Sequence, residues 1–257
     1  PPQVLDMLVY LLLVLAAMNL EAAKHGHKDG SLVNIRGNPT LFISLGARKV
    51  GAVLLLLDVS GRPVLVSDVD VVWLRNPAPY ITCASDGGGA EVGDRAEVSC
   101  GTLRAADVAV SSDNMSPKGD LRGGVAYAAG GTFNTGIVLL RATPAGKAFA
   151  AAWHAQVIAR ACQKGQTGNC QAGSCCTSDQ QVFNHMMRVP NQWPGVSAPD
   201  KAWLMKHREL IPGLQLGALP LTLFNNGHGY FVQSANARLR VAPIVVHATY
   251  SLDNHDA

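Results

Sequence analysis

Two aspartates stand one residue apart in a chain that is only 15% charged. Asp68 and Asp70 follow the apolar run "PVLV" and precede two valines and a tryptophan. In an open α/β sheet, ligands bind beyond the carboxyl ends of the strands, and neighbouring carboxylates there cannot both stay desolvated and charged without a cation. Hard divalent ions take carboxylate oxygens and often hold phosphate as well. The pair therefore predicts a magnesium or manganese ion holding a diphosphate, although Asp-x-Asp alone equally fits two solvated turn residues.

Two classes of enzyme place Asp-x-Asp after a hydrophobic strand. In haloacid-dehalogenase phosphatases the first aspartate is a nucleophile and the second an acid–base residue, and the site also needs a lysine and a later acidic pair. The late acidic pair of this chain is Asp253 and Asp256, in its tail. In metal-dependent glycosyltransferases the aspartates instead hold the metal ion on a nucleotide-sugar diphosphate. A third interpretation is an inactive module that binds a sugar nucleotide.

The elements that must position these carboxylates alternate between helix and strand. A helix is predicted after Pro39, because apolar residues recur at i, i+3, i+4 and i+7 in Val50, Val53, Leu54 and Leu57. Buried or strand-like runs are predicted in "RPVLVS", "ADVAVSS", "FNTGIVLL", "LPLTLF", "GYFVQS" and "PIVVHATY". Strands that alternate with helices favour an α/β layer fold with a mostly parallel central sheet.

Two helix starts are marked by their capping residues. Thr143 before Pro144 has the pattern of an N-cap followed by proline at the first helical position. Ser178 and Gln181 form the pattern of a capping box that opens the shorter helix "DQQVFNHMM".

Composition excludes some classes of function. The chain has 257 residues, of which 48% are apolar, so it can bury a core. The net charge of +3 is spread without a dense basic run, which argues against a nucleic-acid partner. The apolar run Met7–Met18 is short for a membrane span, and we expect a core helix there rather than a signal anchor.

Four of the six cysteines crowd into the Gly-rich stretch "CQKGQTGNCQAGSCC". The CxxC pairs of common zinc sites are missing, so a loop stapled by disulfides in an oxidising compartment is favoured over a zinc site. Cys83 and Cys100 bracket another Gly-rich stretch and are candidates for a second disulfide.

Five stretches occur in a fixed order: "SDVDVVWLRNP", "GGTFNTGIVLLRATPAG", "TSDQQVFNHM", "LGALPLTLFNNGHGYF" and "VVHATYSLDN". Together they closely resemble the nucleotide-diphospho-sugar transferase family of plants and green algae. Within it they are most similar to arabinosyltransferases that extend arabinose chains on hydroxyproline-rich wall proteins. The resemblance implies a single glycosyltransferase-A domain over residues 1–257, a UDP-sugar donor, manganese (with magnesium as the alternative) and retention of anomeric configuration. It also implies an arabinosylated hydroxyproline-rich glycoprotein as acceptor, and a type II membrane protein of the Golgi lumen anchored upstream of this chain.

The resemblance assigns residues to the metal ion and to the donor. Asp68, Asp70 and His247 match the metal ligands, and Asp68 also reaches the donor. A histidine at a strand end is otherwise more often a structural hydrogen-bonding group. Lys49, with Arg48 as the alternate, matches a cation that touches the donor, where a solvated surface lysine is the plain alternative.

The remaining assignments concern the two sugars. Asn134 and Thr135 match sugar contacts and are placed with the donor, while a turn asparagine that caps its own backbone is the alternative. Asp179 and Gln180 match the catalytic pair, in which Asp179 stabilises or attacks the anomeric centre, whereas an acidic residue in a first turn also simply favours the helix dipole. Asn226 and His228 are candidates for the acceptor groove.

The chain departs from the family pattern at both ends. The family's domain begins with a strand that helps to hold the uracil, and this chain begins with a predicted helix. The basic segment expected after "SLDN", which would steady the departing diphosphate, is also missing. We expect that this chain lacks the first strand and the C-terminal tail of the domain.

Overall fold

A computed structural model of the chain describes residues 39–82, 104–114, 132–160, 177–187 and 211–249. The apolar run Met7–Met18, all six cysteines and the acidic pair at the end of the chain lie outside these ranges, so the inferences drawn from them stay predictions. Among the described residues, no helix is long and apolar enough to cross a membrane.

The described part of the chain contains five complete α-helices, and the three that were predicted begin where local sequence signals place them. The five helices are α1 (Pro39–Ser60), α2 (Ala78–Thr82), α3 (Pro144–Arg160), α4 (Asp179–Met187) and α5 (Ala235–Leu239). The predicted stripe of α1 is confirmed, with Val50, Val53 and Leu57 buried. Both predicted caps are also confirmed. Thr143 Oγ1 accepts a hydrogen bond from the N–H of Gly146 at 3.0 Å. At the start of α4, the Ser178 N–H donates to Gln181 Oε1 at 3.0 Å, and the Gln181 N–H donates back to Ser178 Oγ at 3.2 Å.

Seven strands form two sheets. The strands are β1 (Val64–Ser67), β2 (Val71–Trp73), β3 (Val108–Ser112), β4 (Phe133–Leu140), β5 (Leu216–Ala218), β6 (Phe224–Asn226) and β7 (Val245–His247). The first sheet has the order β1-β4-β3-β5 and the second has the order β2-β7-β6. The chain is therefore an α/β fold, as predicted.

The sheets are mixed rather than mostly parallel. Three of the five described pairings are antiparallel, β1 with β4, β3 with β4 and β2 with β7, and two are parallel. In the first sheet β1, β3 and β5 run in one direction, and β4 alone runs in the opposite direction between β1 and β3. Every residue of β4 is buried, and a fully buried strand has the same continuous apolar pattern in either direction, so the sequence did not reveal the reversal.

The C-terminal part contains less strand than its apolar runs suggest. "PIVVHATY" holds β7, but "LPLTLF" is strand only at Phe224. "GYFVQS" was expected to be strand-like, and this prediction is wrong: His228–Val232 is a π-helix. The N–H of Gly229 donates to Asn226 Oδ1 at 2.8 Å, and this local bond turns the backbone directly after β6.

The core lies on both faces of β4. Val138 and Leu140 belong to the cluster that also holds the buried residues of α1, α3 and α4. The alternate residues Ile137 and Leu139 belong to a second cluster, with Phe224 and Val245 of the other sheet. Because apolar clusters pack against both faces of β4, its N-terminal end can hold the residues of a functional site rigidly.

Candidate functional site

Asp68, Asp70 and His247 form a cluster of metal-ligand type. One ligand atom from each residue lies within 4.8 Å of the others. Asp68 and Asp70 occupy the turn between β1 and β2, and His247 ends β7. The pairing of β2 with β7 sets Val71 opposite His247, and the Ala248 N–H donates to the Asp70 carbonyl at 2.9 Å. As a result, His247 Nε2 lies 3.1 Å from Asp70 Oδ1.

A glycine on β4 makes room for the histidine. A Cβ at Gly136 would lie 2.6 Å from Nδ1 and 2.8 Å from Nε2 of His247, and closer still to Cε1. The Gly136 carbonyl also accepts a hydrogen bond from the Asp68 N–H at 2.8 Å. Gly136 thus contacts two of the three candidate ligands, because a residue without a side chain allows another group to approach the backbone closely.

The donor set of this cluster fits a divalent cation. Two carboxylates and one imidazole offer the oxygen and nitrogen atoms that ions such as Mn²⁺ take. The His247 side chain is only 6% exposed, while the carboxylates of Asp68 and Asp70 are 36% and 37% exposed. A cation here would therefore be held from the protein side and keep an open side for phosphate oxygens.

Lys49 joins the metal cluster to Asp179. Its Nζ lies 2.7 Å from Asp179 Oδ2 and 3.2 Å from Asp68 Oδ1, and donates to the Thr135 carbonyl at 3.3 Å. Burial lowers the pKa of Lys49, but attraction to Asp179 and Asp68 and hydrogen bonds to both outweigh it, so the pKa is raised above its usual value. Lys49 is therefore a charged lysine held between two carboxylates, not a solvated surface residue.

Asp179 is buried at the start of α4, where α1 passes close by. A Cβ at Gly46, one turn before Lys49, would lie 2.8 Å from Asp179 Oδ1, so the glycine allows this approach. Thr135 Oγ1 donates to Asp179 Oδ2 at 3.0 Å, and the Trp153 indole N–H donates to the Asp179 carbonyl at 3.0 Å. The carboxylate and the backbone of Asp179 are thus both fixed in place.

Beyond the end of β1, side chains of α4 form hydrogen bonds with the backbone of β4. β1 pairs with residues 137–140 of β4 and no further. Beside the first half of β4, Asn184 accepts from the Phe133 N–H at 2.8 Å and donates to the Phe133 carbonyl at 2.7 Å. Gln180 Oε1 accepts from the Thr135 N–H at 3.3 Å. These amides satisfy backbone groups that a neighbouring strand would otherwise satisfy.

The two acceptor candidates differ in position. Asn226 is buried, lies opposite His247 in the β6–β7 register, and donates to the Asn114 carbonyl at 2.9 Å. It lines a pocket beside His247 together with Ser111, Ser112, Asp113, Asn134, Phe224, Asn225 and Thr249. His228 opens the π-helix with a half-buried side chain and does not line this pocket. Arg48, the alternate donor residue, has an exposed side chain on α1.

Sequence reasoning missed Asp113. Its carboxylate accepts hydrogen bonds from Asn134 Nδ2 at 2.8 Å and from Gln180 Nε2 at 3.3 Å. Burial raises the pKa of Asp113, although these two hydrogen bonds and the nearby His247 oppose the shift. The signal was available, because Asp113 follows the buried strand "VAVSS" just as Asp68 follows "VLVS".

Comparison with known proteins identifies the family of this chain. The sequence model of the family described as nucleotide-diphospho-sugar transferase matches residues 13–256. The chain is 29% identical over 215 residues to "Arabinosyltransferase XEG113" of Arabidopsis thaliana, and the alignment covers 83% of this chain but only 27% of that protein. No solved structure matches the chain. The family match spans nearly the whole sequence and confirms the resemblance carried by the five motifs, so the chain belongs to the nucleotide-diphospho-sugar transferase family, a family of glycosyltransferases.

Proposed function

We propose that this chain is the catalytic domain of a metal-dependent, retaining arabinosyltransferase. Its donor is UDP-arabinofuranose and its acceptor is an arabinosylated hydroxyproline of a cell-wall glycoprotein. The family supports a nucleotide-sugar donor, and the similarity to a protein named as an arabinosyltransferase supports the sugar. Because the chain spans only 27% of that relative, substrate and acceptor are carried over as a hypothesis to be tested.

The observation that carries the proposal is the cluster of Asp68, Asp70 and His247. These three side chains would hold Mn²⁺, with Mg²⁺ as the alternative. A cation bound there neutralises charge on the departing diphosphate. Asp68 serves the donor twice, since it is both a metal ligand and a partner of Lys49.

The ion pair of Lys49 and Asp179 is the proposed catalytic centre. Lys49 pairs with the Asp179 carboxylate and fixes its position, and Thr135 donates a hydrogen bond to the same carboxylate from β4. In this hypothesis Asp179 faces the anomeric carbon and stabilises its positive charge, either as an ion pair or by forming a covalent adduct. The bond from the anomeric carbon to the diphosphate breaks, and a bond from the acceptor oxygen to the same face of that carbon forms. The acceptor's hydroxyl proton passes to the departing diphosphate.

The other residues are proposed to build the two subsites. Lys49, Thr135 and the exposed Arg48 line the donor side, while Asn226 and His228 face the acceptor. Asn134 serves the donor subsite, and Gln180 serves the catalytic centre beside Asp179, each through the backbone of β4 that it binds. We place the enzyme in the Golgi lumen as a type II membrane protein whose anchor lies upstream of this chain.

A panel of donors tests this proposal. The full-length luminal protein is incubated with UDP-arabinofuranose, UDP-arabinopyranose, UDP-galactose, UDP-glucose and UDP-xylose, each with Mn²⁺ and an arabinosylated hydroxyproline peptide, and UDP release is measured. We expect UDP-arabinofuranose to be preferred and NMR of the product to show retained configuration. Transfer of another sugar would refute the assigned donor. Binding of UDP-sugars without transfer would favour the inactive module, and release of phosphate from small phosphomonoesters would favour the phosphatase.

A further inference from the structure

The N-terminal half of β4 leaves the regular ladder with β3. Val110 pairs with Val138, but the next residue of β3, Ser111, pairs with Asn134. Residues 135–137 therefore bulge out of the pairing with β3. Such a bulge deprives backbone groups of their ladder partners, and a buried N–H without a partner is costly.

Two side-chain amides accept hydrogen bonds from backbone N–H groups of this segment. Asn134 Oδ1 accepts a hydrogen bond from the Gly136 N–H at 2.7 Å, and Gln180 Oε1 accepts from the Thr135 N–H at 3.3 Å. Each amide then points its NH₂ group at the same carboxylate, that of Asp113. The bulge, the two amides and Asp113 thus form one closed network.

The carboxylate decides which way the two amides face. An ionised carboxylate only accepts hydrogen bonds, so the NH₂ groups of Asn134 and Gln180 must turn towards Asp113. Their carbonyl oxygens must then turn towards the backbone N–H groups of the bulge. If either amide were flipped, its NH₂ would face a backbone N–H, and two donors would oppose each other.

We propose that Asp113 is a positioning residue that holds the β4 bulge, and through it both halves of the site. On one side, Gly136 lies under the His247 ring and accepts from the Asp68 N–H. On the other side, Thr135 donates to the Asp179 carboxylate. Asp113 acts on Gly136 through Asn134 and on Thr135 through Gln180. The link to Mn²⁺ rests on the proposed function, whereas the network does not.

A swap of two residues tests the network. Asp113→Asn keeps the shape but turns an NH₂ group towards one of the amides. We expect Mn²⁺ affinity, measured by calorimetry well below the melting temperature, to fall at least tenfold, and turnover to fall with it. In the double variant Asp113→Asn/Asn134→Asp, the new amide donates to the new carboxylate. The other oxygen of the new carboxylate at position 134 still accepts a hydrogen bond from the Gly136 N–H. The side-chain amide oxygen of the new asparagine at position 113 still accepts one from Gln180. We expect the double variant to recover Mn²⁺ affinity to within about threefold of the wild type.

A matched control is Asp107, which directly precedes β3 just as Asp113 directly follows it. Asp107 is also buried, and its carboxylate accepts from Thr143 Oγ1 at 2.5 Å and from the Gln215 N–H at 2.9 Å. Asp107→Asn should lower the melting temperature and leave Mn²⁺ affinity within threefold of the wild type.

A second measurement needs neither metal nor activity. Hydrogen exchange followed by NMR reports the amide protons of Thr135 and Gly136 directly. We expect them to be protected in the wild type, to lose at least tenfold protection in Asp113→Asn, and to regain it in the double variant. If Asp113→Asn does not fold, Asn134→Asp alone, which sets two carboxylates face to face, replaces it as the disrupted state. Unchanged protection in the disrupted variant, or a folded double variant that regains nothing, would overturn the proposal. If the wild type binds no Mn²⁺ but the three proteins show the expected exchange pattern, the metal site is refuted and the role of Asp113 in holding the bulge is supported.

Discussion

Adding one methyl group at Gly136 should disable the metal cluster without touching a ligand. In Gly136→Ala the new Cβ would lie 2.6 Å from His247 Nδ1 and 2.8 Å from Nε2. Non-bonded carbon contacts need about 3.5 Å or more, and Cε1 would lie closer to the new Cβ than either nitrogen, so the ring must move by roughly 1.5 Å. Metal–ligand distances tolerate only about 0.2 Å, so this displacement removes His247 from the cluster.

The size of the effect follows from this geometry. Disturbing the groups that orient metal ligands typically costs about 10–100-fold in affinity, which is roughly 1.4–2.8 kcal/mol of binding free energy. Overpacking the site should also lower the free energy of unfolding by about 1–3 kcal/mol. Titration of the purified variant with Mn²⁺ by calorimetry gives the first quantity, and chemical unfolding gives the second.

Two further variants show whether the loss passes through His247. Gly51→Ala adds the same methyl group to α1, where its nearest neighbour is the movable end of His154 at 3.0 Å, and should leave Mn²⁺ affinity unchanged. In a His247→Ala background the clash is absent. Adding Gly136→Ala to that variant should therefore lower its Mn²⁺ affinity by less than about threefold further, because effects at coupled sites are not additive. If Gly136→Ala alone binds Mn²⁺ like the wild type, the His247 ring is not a metal ligand in the orientation that the structure gives it.

The ion-pair network makes three further predictions. Lys49→Met should lower the unfolding free energy of the metal-free protein by about 3 kcal/mol, because it leaves the buried Asp179 carboxylate unpaired. As a control, Lys147→Met breaks an exposed ion pair with Asp58 and should lower the unfolding free energy by less than about 1 kcal/mol. The pKa of Lys49 is raised above its usual 10.5, so the stabilisation that charged Lys49 provides is complete below pH 10.5 and is lost as the pH rises through the raised pKa. Chemical unfolding should therefore show the unfolding free energies of the wild type and of Lys49→Met converging only in strong alkali. Asp179→Asn should lower turnover by two or more orders of magnitude, roughly 3 kcal/mol of transition-state stabilisation, with donor affinity little changed, and steady-state kinetics within a few-fold of the wild type would refute the catalytic role.

Local features of the fold could be predicted because their causes are local. The caps at Thr143 and Ser178 involve residues three positions apart, and "FNTGIVLL" corresponds residue for residue to β4. The direction of β4 and its bulge could not be predicted, because they depend on pairing with strands far away in the chain. The π-helix was missed because it holds three consecutive residues that favour strands, Tyr230, Phe231 and Val232, while a hydrogen bond to Asn226 sets its backbone.

The candidate site shows the same division. Asp68 and Asp70 were visible as neighbours in the sequence, but nothing local brings His247 to Asp70, 177 residues away. That contact depends on the pairing of β2 with β7, and only the family resemblance suggested it in advance. The role of Lys49 was left open because its partners, Asp68 and Asp179, come from two different elements. The position of Asp113 after a buried strand was visible in the sequence, but its contacts with Asn134 and Gln180 depend on the fold.

Metal dependence of UDP release from UDP-arabinofuranose tests the central claim most directly. The assay compares the wild type and Asp70→Ala, each with Mn²⁺ and with EDTA. Because the Asp70 carboxylate lies partly exposed in a turn, the substitution should change the free energy of unfolding by less than about 1 kcal/mol, so any loss of activity reports the site. We predict activity in the wild type with Mn²⁺, and none in EDTA or in Asp70→Ala. Full activity in EDTA, or in Asp70→Ala with Mn²⁺, would contradict a metal-dependent transferase built on Asp68, Asp70 and His247.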